Sequence, residues 1–266
     1  MSGSWTCSCP FMPILEAEAV VLRSYSLSDA DRIVVLATRE YGKVRVVGQG
    51  VKKPKSRMAG CLEPLTHIRA KFFLREGAEL WRLRQCEGIH SYLGSKLSLR
   101  QFYGFSYIAE LVHEYLEDHN PNPPLFRLLL SVLATGEARG CSEALVRYFE
   151  LWLLRLCGLL PDYRSCSNCG RVVVQTGFYA AAERGEGCCE DCAGGKGLRI
   201  RPAAAKFLQS YQHMSPLEFA EAPGYASAAP DLEKLTLRLI ERSLEKTLKS
   251  YSHLRQTWRE DGTQAG

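Results

Sequence analysis

The sequence predicts an α+β protein in which a small N-terminal β-barrel is followed by a helical domain, and three observations support this. Strand-like segments fill residues 14–90, the hydrophobic period becomes helical after Gly94, and two Cys-x-x-Cys pairs lie within the later part of the chain. Five short strands in about eighty residues are typical of a closed barrel rather than of alternating strands and helices.

The predicted strands are rich in Val, Ile and Leu and cover residues 17–23, 32–38, 43–47, 66–75 and 79–86. A turn at Gly42 separates the second strand from the third. The fourth strand alternates throughout, with Ile68, Ala70, Phe72 and Leu74 on one face and Arg69, Lys71, Phe73 and Arg75 on the other. Because successive side chains of a strand point to opposite faces, one of these faces is predicted to be buried.

Helical periodicity predicts the rest of the fold. An apolar stripe from Phe105 to Leu116 predicts the first helix, and a second begins at 125. Further helices are predicted over 143–156, 202–214 and 232–254, and a loop is predicted at 222–230. The predicted domains are a tail or extension at 1–12, the barrel at 13–92, a first helical part at 93–161, a cysteine ribbon at 162–198, a second helical part at 199–255 and a flexible tail at 256–266.

Two cysteine pairs carry the clearest chemical signal. Cys166 and Cys169 form one Cys-x-x-Cys, Cys189 and Cys192 form another, and 19 residues separate the two pairs. Each pair can hold a metal from one tight turn, and four thiolates complete a tetrahedral structural zinc site with no position left for a substrate. The sequence therefore predicts one structural Zn²⁺ and directs the search for activity elsewhere.

Other roles for these cysteines fit less well. Disulfide frameworks belong mainly to short secreted chains, a single redox pair leaves the second pair unexplained, and iron–sulfur clusters usually need a denser run of cysteines. Cys188 is an alternative third ligand. We prefer Cys189, because it restores the two-residue spacing to Cys192.

Charge is concentrated in the first third of the chain. The net charge is +5, and residues 13–95 hold 14 Lys and Arg against 9 Asp and Glu, whereas the remainder holds 20 of each. This excess favours a polyanionic partner for the barrel, although it also fits a plain solvated surface. Since no apolar run approaches the ~20 residues of a spanning helix and no signal peptide is recognisable, we expect a cytoplasmic protein without a membrane partner.

Candidate DNA contacts lie in a basic loop and on two strand faces. The segment 48–57 combines two glycines and a proline with four cations within six residues: Lys52, Lys53, Lys55 and Arg57. A flexible basic loop suits a phosphate backbone, and the alternative is a solvated hairpin tip. Lys43 and Arg45 share one predicted strand face, and Arg69 and Lys71 share another with Phe73, which adds a stacking surface.

Catalytic motifs are absent from the sequence. It contains no phosphate-cradling Gly-x4-Gly-Lys loop, no dinucleotide fingerprint, no His-Glu-x-x-His and no Gly-x-Ser-x-Gly. Asp29 and Asp31 lie close together but are expected to cap a turn. A non-catalytic nucleic-acid-binding protein is the first interpretation. A zinc-ribbon nuclease and a protein–protein adaptor are the alternatives, which Mg²⁺-dependent cleavage and salt-dependent DNA binding would distinguish.

In order and spacing, a series of segments resembles the RecO family of bacterial recombination mediators. They are AVVLR at 19–23, LATREYG at 36–42, GVKKPKSR at 50–57, LEPL at 62–65, YIAEL at 107–111, PLFRLL at 124–129, FELWLLRLCGLLP at 149–161 and CSNCG at 166–170. Any one segment is weak alone, and their order together is specific over nearly the whole chain.

This resemblance implies an N-terminal OB-fold, a helical second domain and an inserted zinc ribbon. It further implies binding of single- and double-stranded DNA and annealing of complementary strands in the RecFOR pathway, near the nucleoid. The implied partners are RecR, single-strand-binding protein and, indirectly, the recombinase RecA. Some members of the family lack the cysteines, so the zinc is not expected to be essential to the shared activity.

Overall fold

The computed structural model of the chain describes residues 14–53, 56, 58–73, 80–94, 97–183 and 185–264, with the side chains described as far as residue 258. These residues divide into two compact units. The first runs to Leu93 and also includes Leu116–Asn122, and the second consists of Gly94–Tyr115 and the residues from Pro123 onward. The predicted tail at 1–12 and the cations Lys55 and Arg57 lie outside the described residues.

Five strands close the first unit into a barrel. They are β1 (Ile14–Ser26), β2 (Arg32–Thr38), β3 (Gly42–Gly48), β4 (Thr66–Phe73) and β5 (Trp81–Ser91), arranged in the order β1-β2-β3-β5-β4. Neighbours run antiparallel except β3 and β5, which pair in parallel where Val46 meets Trp81. A closed five-stranded barrel of this kind is OB-like, so the predicted fold class is confirmed.

Alternation along the strands decides which side chains fill the barrel. Inward-facing residues such as Leu36, Val44, Ile68 and Phe72 are at most 1% exposed. Burial of each such large apolar side chain contributes roughly 1.5–3 kcal/mol. Because the period of a strand is two, the polar residues between them face outward.

The segment Leu116–Asn122 attaches to the barrel although it follows a helix in sequence. The Lys43 amide donates to the carbonyl of Glu117 at 3.0 Å, and the His119 amide donates to the carbonyl of Lys43 at 3.1 Å. Gly42 has a φ of 68°, and a Cβ there would lie 2.2 Å from the Asn120 carbonyl oxygen. The sequence prediction assigned these residues to the helical domain, whereas their backbone bonds join them to β3.

Helices build the second unit. They are α1 (Leu99–Tyr115), α2 (Pro123–Arg139), α3 (Glu143–Leu156), α4 (Glu190–Ala193), α5 (Pro202–Ser210), α6 (Pro216–Ala220), α7 (Tyr225–Leu244) and α8 (Lys249–Gln264). The Ser142 hydroxyl caps α3 by accepting a hydrogen bond from the Leu145 amide at 3.2 Å, as expected for a serine N-cap. The predicted span of α3 is confirmed.

The C-terminal prediction was wrong in three places. The expected loop at 222–230 is helical from Tyr225 onward, although Pro230 lacks a backbone donor, and the Tyr225 ring packs against Phe207 and Phe219. The expected single helix over 232–254 breaks at Glu245, whose φ is 53°. The expected tail at 256–266 is helical as far as Gln264, since α8 packs along α1.

A buried ion pair joins the helices of the second unit. Arg147 and Glu150 are fully buried, with Nη1 and Oε2 2.7 Å apart. Tyr107 donates its hydroxyl to the other carboxylate oxygen at 2.7 Å, and Thr236 accepts from Arg147 at 3.0 Å. The Tyr251 ring lies 5.3 Å from the guanidinium carbon. This network connects α1, α3, α7 and α8, and sequence reasoning missed it.

Candidate nucleic-acid interface and metal centre

Four cysteine sulfurs converge in the second unit. The Sγ atoms of Cys166, Cys169, Cys189 and Cys192 all lie within 4.8 Å of one another. The Sγ atoms of Cys169 and Cys189 are 3.7 Å apart. Thiolates at these separations can share one tetrahedral metal ion, whose Zn–S bonds are about 2.3 Å long.

Two tight turns deliver these sulfurs. In the first, the Gly170 amide donates to the Cys166 carbonyl at 2.9 Å, and Gly170 has a φ of 73°. In the second, Cys189 is the N-cap of α4, whose end is Gly194 with a φ of 56°. Positive φ values favour glycine, so each pair of cysteines is followed by the residue that lets its turn close.

Cys188 lies outside the cluster. It belongs to β7 (Gly187–Cys188), which with β6 (Phe178–Ala180) and β8 (Leu198–Ile200) forms a small antiparallel sheet. Its sulfur lies 3.4 Å from the Ser167 hydroxyl. Adjacent residues of an extended chain point to opposite sides, and here it is Cys189 whose sulfur joins the other three.

The surroundings of Cys166 favour its thiolate. Burial opposes ionisation, but hydrogen bonds from the backbone amides of Cys189, Cys169 and Asn168 outweigh it and lower the pKa of Cys166 to about 6. A thiolate is the form that binds metal. Within the described residues, this cluster is the one group of three or more His, Cys, Asp or Glu side chains close enough to share an ion.

The basic loop is attached to the turn between β1 and β2. The Lys52 ammonium donates to the Ser28 carbonyl at 2.7 Å and to the Ser26 hydroxyl, and its amide donates to the Ala30 carbonyl at 3.0 Å. The Gly50 amide donates to Asp31 at 2.8 Å. The start of the loop is therefore ordered against the turn, and the exposed Lys53 follows it.

The predicted strand cations face outward and have acidic neighbours. Lys43 and Arg45 lie 3.5 and 3.9 Å from Asp118. Lys71 lies 3.3 Å from Glu16, and Arg69 lies 4.0 Å from it. Exposed ion pairs contribute about 0–1 kcal/mol, so a phosphate can compete for Arg45, Arg69 and Lys71. The Lys43 side chain is only 12% exposed and is the least accessible of the four cations. Asp118 is distant in sequence from β3, and Glu16 acts across the β1–β4 pairing, so neither partner was visible in the sequence pattern.

Sequence reasoning also missed two arginines of β5. Arg82 and Arg84 are exposed and alternate with the buried Trp81 and Leu83. The guanidinium carbon of Arg84 lies 5.1 Å from the centre of the Phe73 ring. They extend the predicted Arg69, Lys71 and Phe73 face onto the neighbouring strand, and the alternation of the segment 81–84 was the signal that could have identified them.

A hollow in the helical unit combines cations with nearby apolar surface. It has a volume of about 380 Å³ and is lined by Ser98, Leu99, Arg100, Arg139, Gly140, Cys141 and Thr257. Leu99 is 60% exposed, and Phe102, one turn further along α1, is 44% exposed. Two arginines beside apolar side chains suit an acidic peptide that also carries hydrophobic residues.

Comparison with known proteins assigns the family. Residues 12–92 match the family described as Recombination protein O N terminal, and residues 97–252 match Recombination protein O C terminal. The chain belongs to the RecO family. The RecO signature thus spans both units, and family membership supports a role in DNA repair and recombination.

Relatives from several bacteria agree with this assignment. The chain is 34% identical to the DNA repair protein RecO of Koribacter versatilis over 242 residues, which is 90% of this chain and 97% of the relative. Identity to the RecO protein of Pelotomaculum thermopropionicum is 37%, over 66% of this chain and 68% of the relative. Identity to that of Desulforamulus reducens is 31%, over 90% and 93%. Among the described helices of this RecO-family chain, none has the length and apolarity needed to cross a bilayer.

Proposed function

We propose that this protein is a non-catalytic DNA-binding recombination mediator. It binds single- and double-stranded DNA, anneals complementary strands and, with RecR, helps to load RecA onto DNA coated by single-strand-binding protein. The observation that carries the proposal is the set of outward-facing cations on the barrel, which lie on β3, β4, β5 and the loop held against the β1–β2 turn. Such work takes place on the nucleoid in the cytoplasm.

Annealing in this proposal is an electrostatic process. Two complementary strands repel each other through their phosphates, and bound cations release condensed counterions and reduce that repulsion. Base pairing then provides the driving force, so no nucleotide is consumed. The absence of a phosphate-cradling sequence motif agrees with this.

We propose that the cysteine cluster holds one structural Zn²⁺. Four thiols within 4.8 Å fill all positions of a tetrahedral ion and leave none for substrate. The ion would then stabilise the small ribbon, whose three strands are only two or three residues long. Its contribution is to folding rather than to a reaction step.

For the partner proteins, we propose that the hollow beside Arg100 and Arg139 receives the acidic C-terminal tail of single-strand-binding protein. The two guanidinium groups complement carboxylates, and the exposed Leu99 and Phe102 offer apolar contact at one side. Charge reversal at Arg139 is expected to abolish capture of such a peptide while DNA binding at the barrel continues.

The test of the proposed function is annealing of complementary strands coated with single-strand-binding protein, with and without RecR and without ATP. The parent protein should accelerate annealing, and charge reversal of Lys52, Lys53, Lys55 and Arg57 together should remove most of this acceleration. A matched control reverses four exposed cations of the helical unit: Arg127, Lys206, Lys234 and Lys249.

The control variant should anneal like the parent. An absolute requirement for ATP, or equal acceleration by the loop variant, would contradict the proposal. A Mg²⁺-dependent DNA-cleaving activity that co-purifies with the protein would favour the nuclease alternative. Full partner binding with no salt-dependent DNA binding would favour an adaptor.

A further inference from the structure

The end of β1, just before the turn to β2, presents an exposed aromatic ring that the proposed phosphate contacts do not use. Tyr25 is 47% exposed and Leu27 is 50% exposed. Large apolar side chains occur singly on many protein surfaces, so exposure alone indicates nothing. What distinguishes Tyr25 is how its position is held and what lies beside it.

The ring is held on an ordered hairpin. Tyr25 pairs with Ile33 in the β1–β2 register, close to the end of both strands. Arg23 lies on the same face two residues earlier, and its Nη1 donates to the Tyr25 hydroxyl at 3.4 Å. Within the turn, the Leu27 amide donates to the Asp31 carbonyl at 3.0 Å. The ring is therefore presented in a defined place rather than on a loose loop.

Cations border the same hairpin. The Lys52 ammonium is bonded to Ser26 and Ser28, the residues on either side of Leu27. This places the beginning of the basic loop against the turn that follows Tyr25 in the chain. Arg23 supplies a second positive charge on the side of the ring. One end of the barrel thus combines phosphate-binding charge with an accessible π-face.

An aromatic ring among cations is the arrangement that proteins use to bind unpaired bases. Each base has a π-face that can stack on an aromatic side chain, and such contacts are tolerant of sequence. In a duplex the same faces are covered by neighbouring base pairs, whereas the phosphates remain accessible. A ring at this position consequently distinguishes single strands from duplexes, which the cations alone do not.

We propose that Tyr25 is a stacking platform for one unpaired nucleobase and gives the barrel a preference for single-stranded over double-stranded DNA. This inference rests on the proposed DNA binding and adds the strand selectivity of that same surface. Lys52 and Lys53 hold the backbone, and Tyr25 holds the base. During annealing, pairing of that base removes it from the ring, so the finished duplex is held less tightly than the separate strands.

The experiment compares Tyr25→Ala, Tyr25→Phe and Leu27→Ala for binding to three probes at one salt concentration. The probes are an oligothymidylate strand, a duplex of equal length, and a strand of abasic nucleotides that keeps the phosphates and lacks the bases. Leu27→Ala is the matched control, because it removes a similarly exposed apolar side chain from the same hairpin without removing a ring.

We expect Tyr25→Ala to bind the single strand about tenfold more weakly, in line with the usual strength of base stacking. Its affinity for the duplex and for the abasic strand should change by less than about twofold. Tyr25→Phe should bind like the parent, because it keeps the ring that stacks on the base, although it loses the bond to Arg23. Leu27→Ala should bind all three probes like the parent.

Three outcomes would overturn the inference: no change for Tyr25→Ala on the single strand, an equal loss on all three probes, or an equal loss for Leu27→Ala. As a folding control, the thermal melting temperature of each variant must match that of the parent. A Tyr25→Trp variant gives a second readout, since the single strand should quench its fluorescence and the abasic strand should not. Failure of the parent to bind any of the probes at low salt would contradict the proposed function itself, whereas normal parental binding with an unaffected Tyr25→Ala variant contradicts only the stacking platform.

Discussion

At the scale of single residues, Arg147 and Glu150 show how a buried charge is tolerated. Burial raises the pKa of Glu150, while Arg147 and the hydroxyls of Thr236 and Tyr107 oppose that rise by stabilising the carboxylate. The guanidinium in turn faces the ring of Tyr251. Removal of one partner leaves the other charged and buried, which is far more costly than loss of an exposed pair.

We therefore expect Glu150→Ala to lower the free energy of unfolding by about 3–5 kcal/mol. Denaturant unfolding followed by circular dichroism measures this. The control Glu241→Ala removes an exposed carboxylate of α7 and should change stability by no more than about 0.5 kcal/mol.

The double variant Arg147→Met/Glu150→Leu gives the sharper comparison. If the cost of Glu150→Ala comes from the stranded guanidinium, the double variant should be more stable than the single one, since it buries no charge. A double variant less stable than Glu150→Ala would show that packing around the network, rather than charge, dominates.

At the scale of elements, the ribbon depends on two turns that meet. Each turn is closed by local backbone bonds, but the elements that hold the turns together are very short: α4 has four residues and β7 has two. A metal that joins both turns would supply the missing cohesion, and its binding would then be coupled to folding of the ribbon.

Purified protein is expected to contain about one equivalent of zinc, measured by elemental analysis. Cys189→Ser should lose the metal, because its sulfur belongs to the cluster, whereas Cys188→Ser should retain it. Chelation should expose the ribbon to proteolysis and leave the barrel intact. Full zinc in Cys189→Ser together with loss in Cys188→Ser would identify Cys188 as the ligand.

At the scale of the whole molecule, the positive charge is concentrated in the barrel, and the rest of the chain has no net charge. Residues 13–95 carry the whole net excess of the chain, yet Asp118 and Glu16 each lie close to two of the barrel cations. In the proposed DNA complex, phosphates that contact these cations would displace or share the two carboxylates. Affinity should depend strongly on salt and weakly on sequence, as expected when phosphate contacts dominate.

A plot of the logarithm of DNA affinity against the logarithm of salt concentration measures this dependence. The slope is about −0.9 for each phosphate contact. Charge reversal at Lys52, Lys53, Lys55 and Arg57 should make the slope distinctly shallower, while the helical-unit control keeps it. An unchanged slope in the loop variant would remove the loop from the interface.

Much of the architecture was predictable, because it depends on local periodicity. Runs rich in Val, Ile and Leu, with clear alternation in the fourth, identified the five barrel strands. A period near 3.6 identified α1, α2 and α3, and cysteine spacing identified the four residues that converge. The C-terminal helices were predicted less well. Pro230 lies inside a helix although proline usually interrupts one, and Glu245 ends a helix with a positive φ that is usual for glycine. Packing with residues distant in sequence, rather than local propensity, decides both.

The sequence by itself determined the order of the elements, the outward direction of the strand cations and the pairing of the cysteines into two turns, since each is set by neighbours within a few residues. Only the tertiary structure decided that Asp118 lies beside Lys43, that Cys189 rather than Cys188 completes the cluster, and that the basic loop meets the turn after Tyr25. Most of those contacts join residues that are far apart along the chain. The choice between the adjacent Cys188 and Cys189 depends on the direction in which each side chain points. Strand register and side-chain orientation in the packed barrel and ribbon determine them, and no local pattern records either.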